Sequence, residues 1–152
     1  MNSKQSLLLI VAVLLAGIAI YLSKDWFSRG SIQIEHTIRP NRLPARQQER
    51  AGPAVKNQPF TVTFFFHRKC ELTSIQVVSA DELATNRFAH PLWELTSESN
   101  SIPTKAITYG LPIRGMRPTV KGARAGVLQS RVPYRLLVET ADGKAEHDFQ
   151  LR

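Results

Sequence analysis

The stretch YGLPIRGMRPTVKGARAG, residues 109–126, gathers four glycines and four basic residues and contains no acid. Such a composition suits three chemistries. The first is a phosphate cradle. A P-loop needs G-x-x-x-x-G-K-[ST] between a strand and a helix, so that backbone N–H groups ring the phosphate. Gly110 and Gly115 have the spacing, but Met116, Arg117 and Pro118 follow. Pro118 removes a donor and breaks the helix that the cradle requires, which argues against nucleotide binding. The second is a nucleic-acid arm. From Ser99 to Val138 there are seven basic residues and no acid: Lys105, Arg114, Arg117, Lys121, Arg124, Arg131 and Arg135. Base stacking needs aromatic platforms, and only Tyr109 and Tyr134 are at hand, with Tyr134 wanted in the core. Nucleic acid is therefore a disfavoured partner. The third is an ordered, positively charged loop that contacts a partner. Leu111, Ile113, Met116, Val120, Val127 and Leu128 would anchor it to the body, while Arg114, Arg117, Lys121 and Arg124 point outward. Residues 110–133 are longer than most connections, and such loops are functional or disordered. A merely solvated loop stays open beside the contact surface.

The other constellations are thinner. His67-x-x-Cys70 is half of a metal or redox pattern, yet residues three apart on a strand point to opposite faces. Cys70 is the chain's one cysteine, so no internal disulfide forms and the redox compartment stays unread. His36, His90 and His147 lack ligand spacing, and zinc needs four converging ligands or three plus water. His147 reads as a half-buried strand residue opposite Val138. A nucleophilic Cys70 would need a base and an oxyanion site, and neither pattern occurs. Glu94 and Glu98 read as a solvated face rather than paired carboxylates. G-x-S-x-G and H-E-x-x-H are absent. The expectation is a protein that is not an enzyme, with no cofactor and no metal.

The elements that position these residues begin after an apolar N-terminus. Residues 1–6 are a short basic leader, and LLLIVAVLLAGIAIYL, Leu7 to Leu22, is apolar throughout apart from Gly17. As a helix this run spans roughly 24 Å at ~1.5 Å per residue, against a hydrocarbon core of ~30 Å. Ser6 and Ser23 narrow the gap, and Tyr21, Trp26 and Phe27 suit the interface. A retained signal anchor over 7–23 is expected; a cleaved secretory signal is the alternative, with no good small-x-small site after the run. Lys24, Arg29, Arg39 and Arg42 outnumber Lys4, which by charge alone keeps the domain in the cytoplasm. Long domains behind a first hydrophobic segment often translocate regardless, and an extracytoplasmic domain is the reading adopted. Residues 24–59 read as a Pro/Arg-rich linker, with one strand possible over 31–38, where Ile32, Ile34, His36 and Ile38 share a face. If 28–59 were wholly flexible, its reach would be on the order of 30 Å.

From Phe60 the text is β, and residues 60–152 form the expected domain. Alternation marks strands at 60–67, 72–79, 92–97, 104–110, 134–140 and 145–152, with HRKCE as a turn and Asp81 as the N-cap of a helical turn over 81–86. Asp142-Gly143 signals a two-residue hairpin. Folding there pairs Glu139 with Glu146, Val138 with His147 and Leu136 with Phe149. It places Tyr134, Leu136, Val138, Ala145, His147, Phe149 and Leu151 on one core face. About seven short antiparallel strands argue for an all-β sandwich.

Leu128-Gln129-Ser130-Arg131-Val132-Pro133-Tyr134-Arg135-Leu136-Leu137-Val138 resembles the approach to strand F of fibronectin type III and related immunoglobulin-like domains. The resemblance implies that the Tyr134 hydroxyl caps backbone groups upstream, with Leu128 as its core neighbour. The whole chain is similar to small bacterial proteins with one N-terminal anchor and one β domain, which implies no activity. The net charge of +8 favours anionic partners. Together these features point to a non-enzymatic binding or scaffold module, anchored at a bacterial envelope, with an unidentified protein or anionic envelope partner. A basic domain docking on acidic lipid or nucleic acid, and an enzyme with an unrecognised site, are the alternatives.

Overall fold

A computed structural model describes residues 32–86 and 88–151. The expected anchor over 7–23 lies outside them; among the described residues no helix is long and apolar enough to cross a membrane. Among the described residues, eight strands form two antiparallel sheets. The first sheet has the order β1-β2-β5, from Ile34–Pro40, Phe60–Cys70 and Thr104–Thr108. The second has the order β6-β4-β3-β7-β8. Its strands are Arg117–Pro118, Trp93–Thr96, Leu72–Ser79, Pro133–Thr140 and Gly143–Gln150.

The core lies between the sheets and comes from the alternation itself. β2 turns Val62, Phe64 and Phe66 inward and exposes Phe65 and His67. β7 buries Tyr134, Leu136 and Val138, and β8 adds Phe149. In β3 the period slips: Leu72 and Ile75 are both buried. A register shift between Leu72 and Ser74, opposite β7, returns the strand to the inward face, as a β-bulge does. Phe64 and Phe149 meet edge to face across the sheets, centroids 5.0 Å apart.

The segment expected as a linker is, from residue 32 on, part of this body. β1 pairs with β2 from Ile34↔Phe66 to Pro40↔Phe60. Two short helices follow, α1 (Ala45–Ala51) and α2 (Pro53–Lys56). Asn41 explains their order: its amide donates to the carbonyls of Val55 and Gln58 at 3.2 and 2.9 Å. Val55 is buried. Each helix lasts two turns or fewer, too short to print a period in sequence. Two smaller expectations also change. HRKCE is not a turn, since β2 runs on to Cys70, which is buried and pairs with Thr104. Helix α3 (Ala80–Thr85) has Ser79 as N-cap without a side-chain bond, and Asp81 sits in its first turn, where a carboxylate suits the dipole.

The β7–β8 hairpin keeps its expected faces but not its register. Glu139 faces Lys144, Val138 faces Ala145, Leu136 faces His147 and Arg135 faces Asp148. The loop residues are Ala141 and Asp142, closed by Thr140 Oγ1, which accepts from Asp142 N and donates to Gly143 O. Relative to the expected pairing, every partner has moved by two residues. Parity is conserved, so the core face survives, while the Glu139–Glu146 repulsion is replaced by opposite-charge pairs. Lys144 binds Glu139, and Arg135 grips Asp148 through two nitrogens at 2.6 and 3.0 Å.

Tyr134 is buried at the start of β7, and its hydroxyl accepts the N–H of Gln129 at 2.8 Å. Tyr134→Phe keeps the ring and removes only this acceptor. It should cost about 1–1.5 kcal/mol in urea unfolding; an unchanged midpoint would show that the bend before β7 does not need the bond.

Candidate functional site

Residues 109–132 run along the open edge between the two sheets, beside β5 and β4. Tyr109 N donates to Val62 O at 2.9 Å, near the start of β2, while Arg114 O accepts from Ile102 N at 3.4 Å, ahead of β5. The chain enters the described region near the end of β2, where His67 N donates to Gln33 O and Arg68 reaches Asp142.

The loop is built inward first. Gly110 has φ +76°, and a Cβ there would stand 2.4 Å from Val55 Cγ2. Only glycine lets the loop press against α2. Leu111, Ile113 and Met116 are half-buried against the core, as the anchor reading expects, and Ala125 and Leu128 are buried. Val120 and Val127 are not anchors: both are exposed, at 65% and 51%. The turn that joins Ala123 N to Val120 O lifts Val120 clear of the sandwich. Arg117 and Pro118 form β6 against Thr96 and Leu95 at a sheet edge, where a proline costs no ladder bond.

Tyr109 fastens the loop. It is buried, not a stacking platform, and its ring meets Trp93 edge to face at 5.3 Å. Its hydroxyl donates to Gly126 O at 2.8 Å, and Gly126 N donates to Leu92 O at 2.7 Å. Burial, reinforced by Tyr134, pushes its phenol above the ordinary range, so Tyr109 remains a donor at any physiological pH.

The basic side chains are exposed. Arg117 is paired with Glu98. Among the described residues no carboxylate stands within ion-pair distance of Arg114, Lys121 or Arg124. Sequence reasoning missed one contributor. Arg50 of α1 lines the same small cavity, about 90 Å³, as Arg124, Trp93 and Met116. A Cβ on Gly52 would meet Arg124 Cδ at 2.7 Å, so the Arg124 stem lies over the α1–α2 junction. The only signal was the density of arginine in the presumed linker. On the other side of Arg124 lies a second cavity of about 240 Å³, walled by His90, Leu92, Trp93, Val120 and Ala123.

The other candidates do not converge. His67 Nδ1 accepts from Gln33 N at 3.2 Å, and the buried Cys70 thiol donates to Arg68 O. Glu94 accepts from Gln76 at 2.8 Å while Glu98 holds Arg117, so the two glutamates serve different partners. Among the described residues no three His, Cys, Asp or Glu side chains gather as metal ligands.

Gly110→Ala should cost about 1–3 kcal/mol, because Val55 is enclosed and must be displaced. Gly122→Ala, at φ +84° with open space around it, should cost only backbone strain, about 1 kcal/mol. Chemical denaturation of both variants checks the contrast, and equal losses would mean the α2 contact is not tight. Compared with known protein families, curated proteins and solved structures, the chain matches none.

Proposed function

We propose that this chain is a membrane-anchored, non-enzymatic recognition module of a bacterial envelope, with an immunoglobulin-like sandwich that binds an acidic partner through residues 110–124. Three observations support the architecture. β1-β2-β5 has the adjacency of strands A, B and E of immunoglobulin-like folds. β3-β7-β8 has that of C, F and G, with β4 where C′ joins. Tyr134 opens the strand in the F position with its hydroxyl bonded upstream, and Leu128, six residues earlier, is buried. The anchor reading rests on the apolar run Leu7 to Leu22.

The observation that carries the binding reading is the sorting of one loop: Leu111, Ile113 and Met116 inward, Arg114, Lys121 and Arg124 outward, with Arg50 beside Arg124. The segment from Ser99 to Val138 contains no acid to neutralise them. An ordered loop spends little conformational entropy on binding, and unpaired cations on it steer an acidic surface into place.

Crosslinkers carried at the exposed residues 119 and 120 of the full chain in its membrane should capture the partner. Measured with that partner purified, affinity should fall when salt rises from about 0.1 to about 1 M, as the Debye length shrinks from about 10 to about 3 Å. The triple change of Arg114, Lys121 and Arg124 to Ala should weaken it about tenfold or more. Salt-independent binding, or full affinity in the triple variant, refutes the basic-loop reading. A topology reporter fused after Arg152 that is active only in the cytoplasm refutes the extracytoplasmic placement.

A further inference from the structure

His36 on β1 and His147 on β8 belong to edge strands of different sheets. Their side chains nevertheless meet. His36 Nδ1 lies 2.7 Å from His147 Nε2, with ring centroids 5.0 Å apart. Nitrogens this close share one hydrogen, which one donates and the other accepts. A neutral pair meets that condition. A singly protonated pair meets it too, with the added proton on an outward nitrogen. A doubly protonated pair does not: both facing nitrogens then carry hydrogens, and two cations confront each other.

The surroundings favour the uncharged side of this equilibrium. Phe64 of β2 faces His147 edge-on at 6.4 Å, and Phe149 of β8 lies 6.0 Å from His36. β7 presents Leu136 opposite His147. The charged group that reaches the pair is Asp148, whose carboxylate is held by Arg135; Glu146 contacts the same guanidinium. Burial pushes the His147 imidazole below its ordinary range, His36 pushes it further, and Asp148 restores part of the loss. Beside the pair runs a groove of about 720 Å³ lined by His36, Ile38, Phe60, Pro133 and Phe149.

We propose that His36 and His147 form a proton-operated latch on the β1–β8 seam, closed while the two rings share a hydrogen and opened when both are charged. β1 is the strand that yields. Both are edge strands with one neighbour, but β1 belongs to the three-stranded sheet and β8 to the five-stranded one. Release of β1 widens the groove and uncovers Phe64 and Phe149. The latch stands apart from the basic loop and does not rest on the partner proposed above.

The sign follows from linkage. His147 titrates lower folded than unfolded, so between its lowered value and the ordinary ~6.5 the unfolded or opened state holds more protons. Stability of the seam is complete above ~6.5 and falls as pH falls through that window. Well inside the window, each further pH unit favours the opened seam by up to about tenfold.

The chain has four histidines; the exposed His90 serves as control, while His67, which accepts from Gln33 N just ahead of β1, is replaced by Gln in the background of every variant. Hydrogen exchange of the full chain is measured at about pH 7.5 and about pH 5, corrected for intrinsic rates. Residues 34–40 should lose protection at the lower pH by about tenfold or more, while β3 and β7 keep theirs. His36→Gln and His147→Gln should each remove most of that pH dependence, and His90→Gln should leave it intact. An unchanged pH response in both latch variants overturns the proposal, as does equal loss in β3 and β7. Should a variant fold poorly, NMR titration of the wild-type imidazoles decides. Two coupled steps, one below ~6.5, support the latch; ordinary independent titrations overturn it.

Discussion

A phenol taken into an apolar core must bring its hydroxyl to a partner, because an unpaired buried hydroxyl costs on the order of 1–3 kcal/mol. Two tyrosines impose that condition here, one at each end of the long connection between β5 and β7. Tyr109 answers it by donating to Gly126, and Tyr134 by accepting from Gln129. Both partners are backbone groups of the connection itself. The core therefore dictates the path of a segment that has almost no secondary structure of its own. The basic side chains of residues 114–124 are presented on a shape that the interior determines.

That constraint separates two kinds of residue within one loop. Leu111, Ile113 and Met116 are structural, since they pack against the core along its open edge. The charged ends of Arg114, Lys121 and Arg124 hold no carboxylate among the described residues, and exposed charges of this sort contribute little to stability. Gly110 belongs with the first group: it permits the approach of Val55, which ties α2 and hence Arg50 to the part of the loop that carries Arg124. A recognition surface assembled from two connections far apart in sequence follows from the sheets bringing their ends together.

The strands were readable because alternation is local. The face of Phe64, Leu136 or Phe149 is set by its parity relative to its neighbours, and no distant contact is needed to see it. Register was not readable to the same degree. Asp142-Gly143 is a strong turn signal, yet a slip of two residues leaves the core face untouched and changes only the partners. Charge decided: Glu139 opposite Lys144 and Arg135 opposite Asp148 outweigh a glycine in the turn. The connection between β1 and β2 was hidden for another reason. Its order comes from a single asparagine amide and one buried valine, features without a period.

The amino-acid sequence alone determined the all-β character of residues 60–151, the two-faced strands, the buried ring of Tyr134 and the acid-free segment from Ser99 to Val138. Each is a property of composition or nearest-neighbour spacing. Tertiary structure alone decided that the connection over 41–59 packs onto the body, that Arg50 stands beside Arg124, and that His36 touches His147 across 111 positions of chain. Those meetings depend on which strand becomes the neighbour of which and where each pairing begins. Side-chain parity leaves both choices open, and only the closing of two sheets on one core makes them.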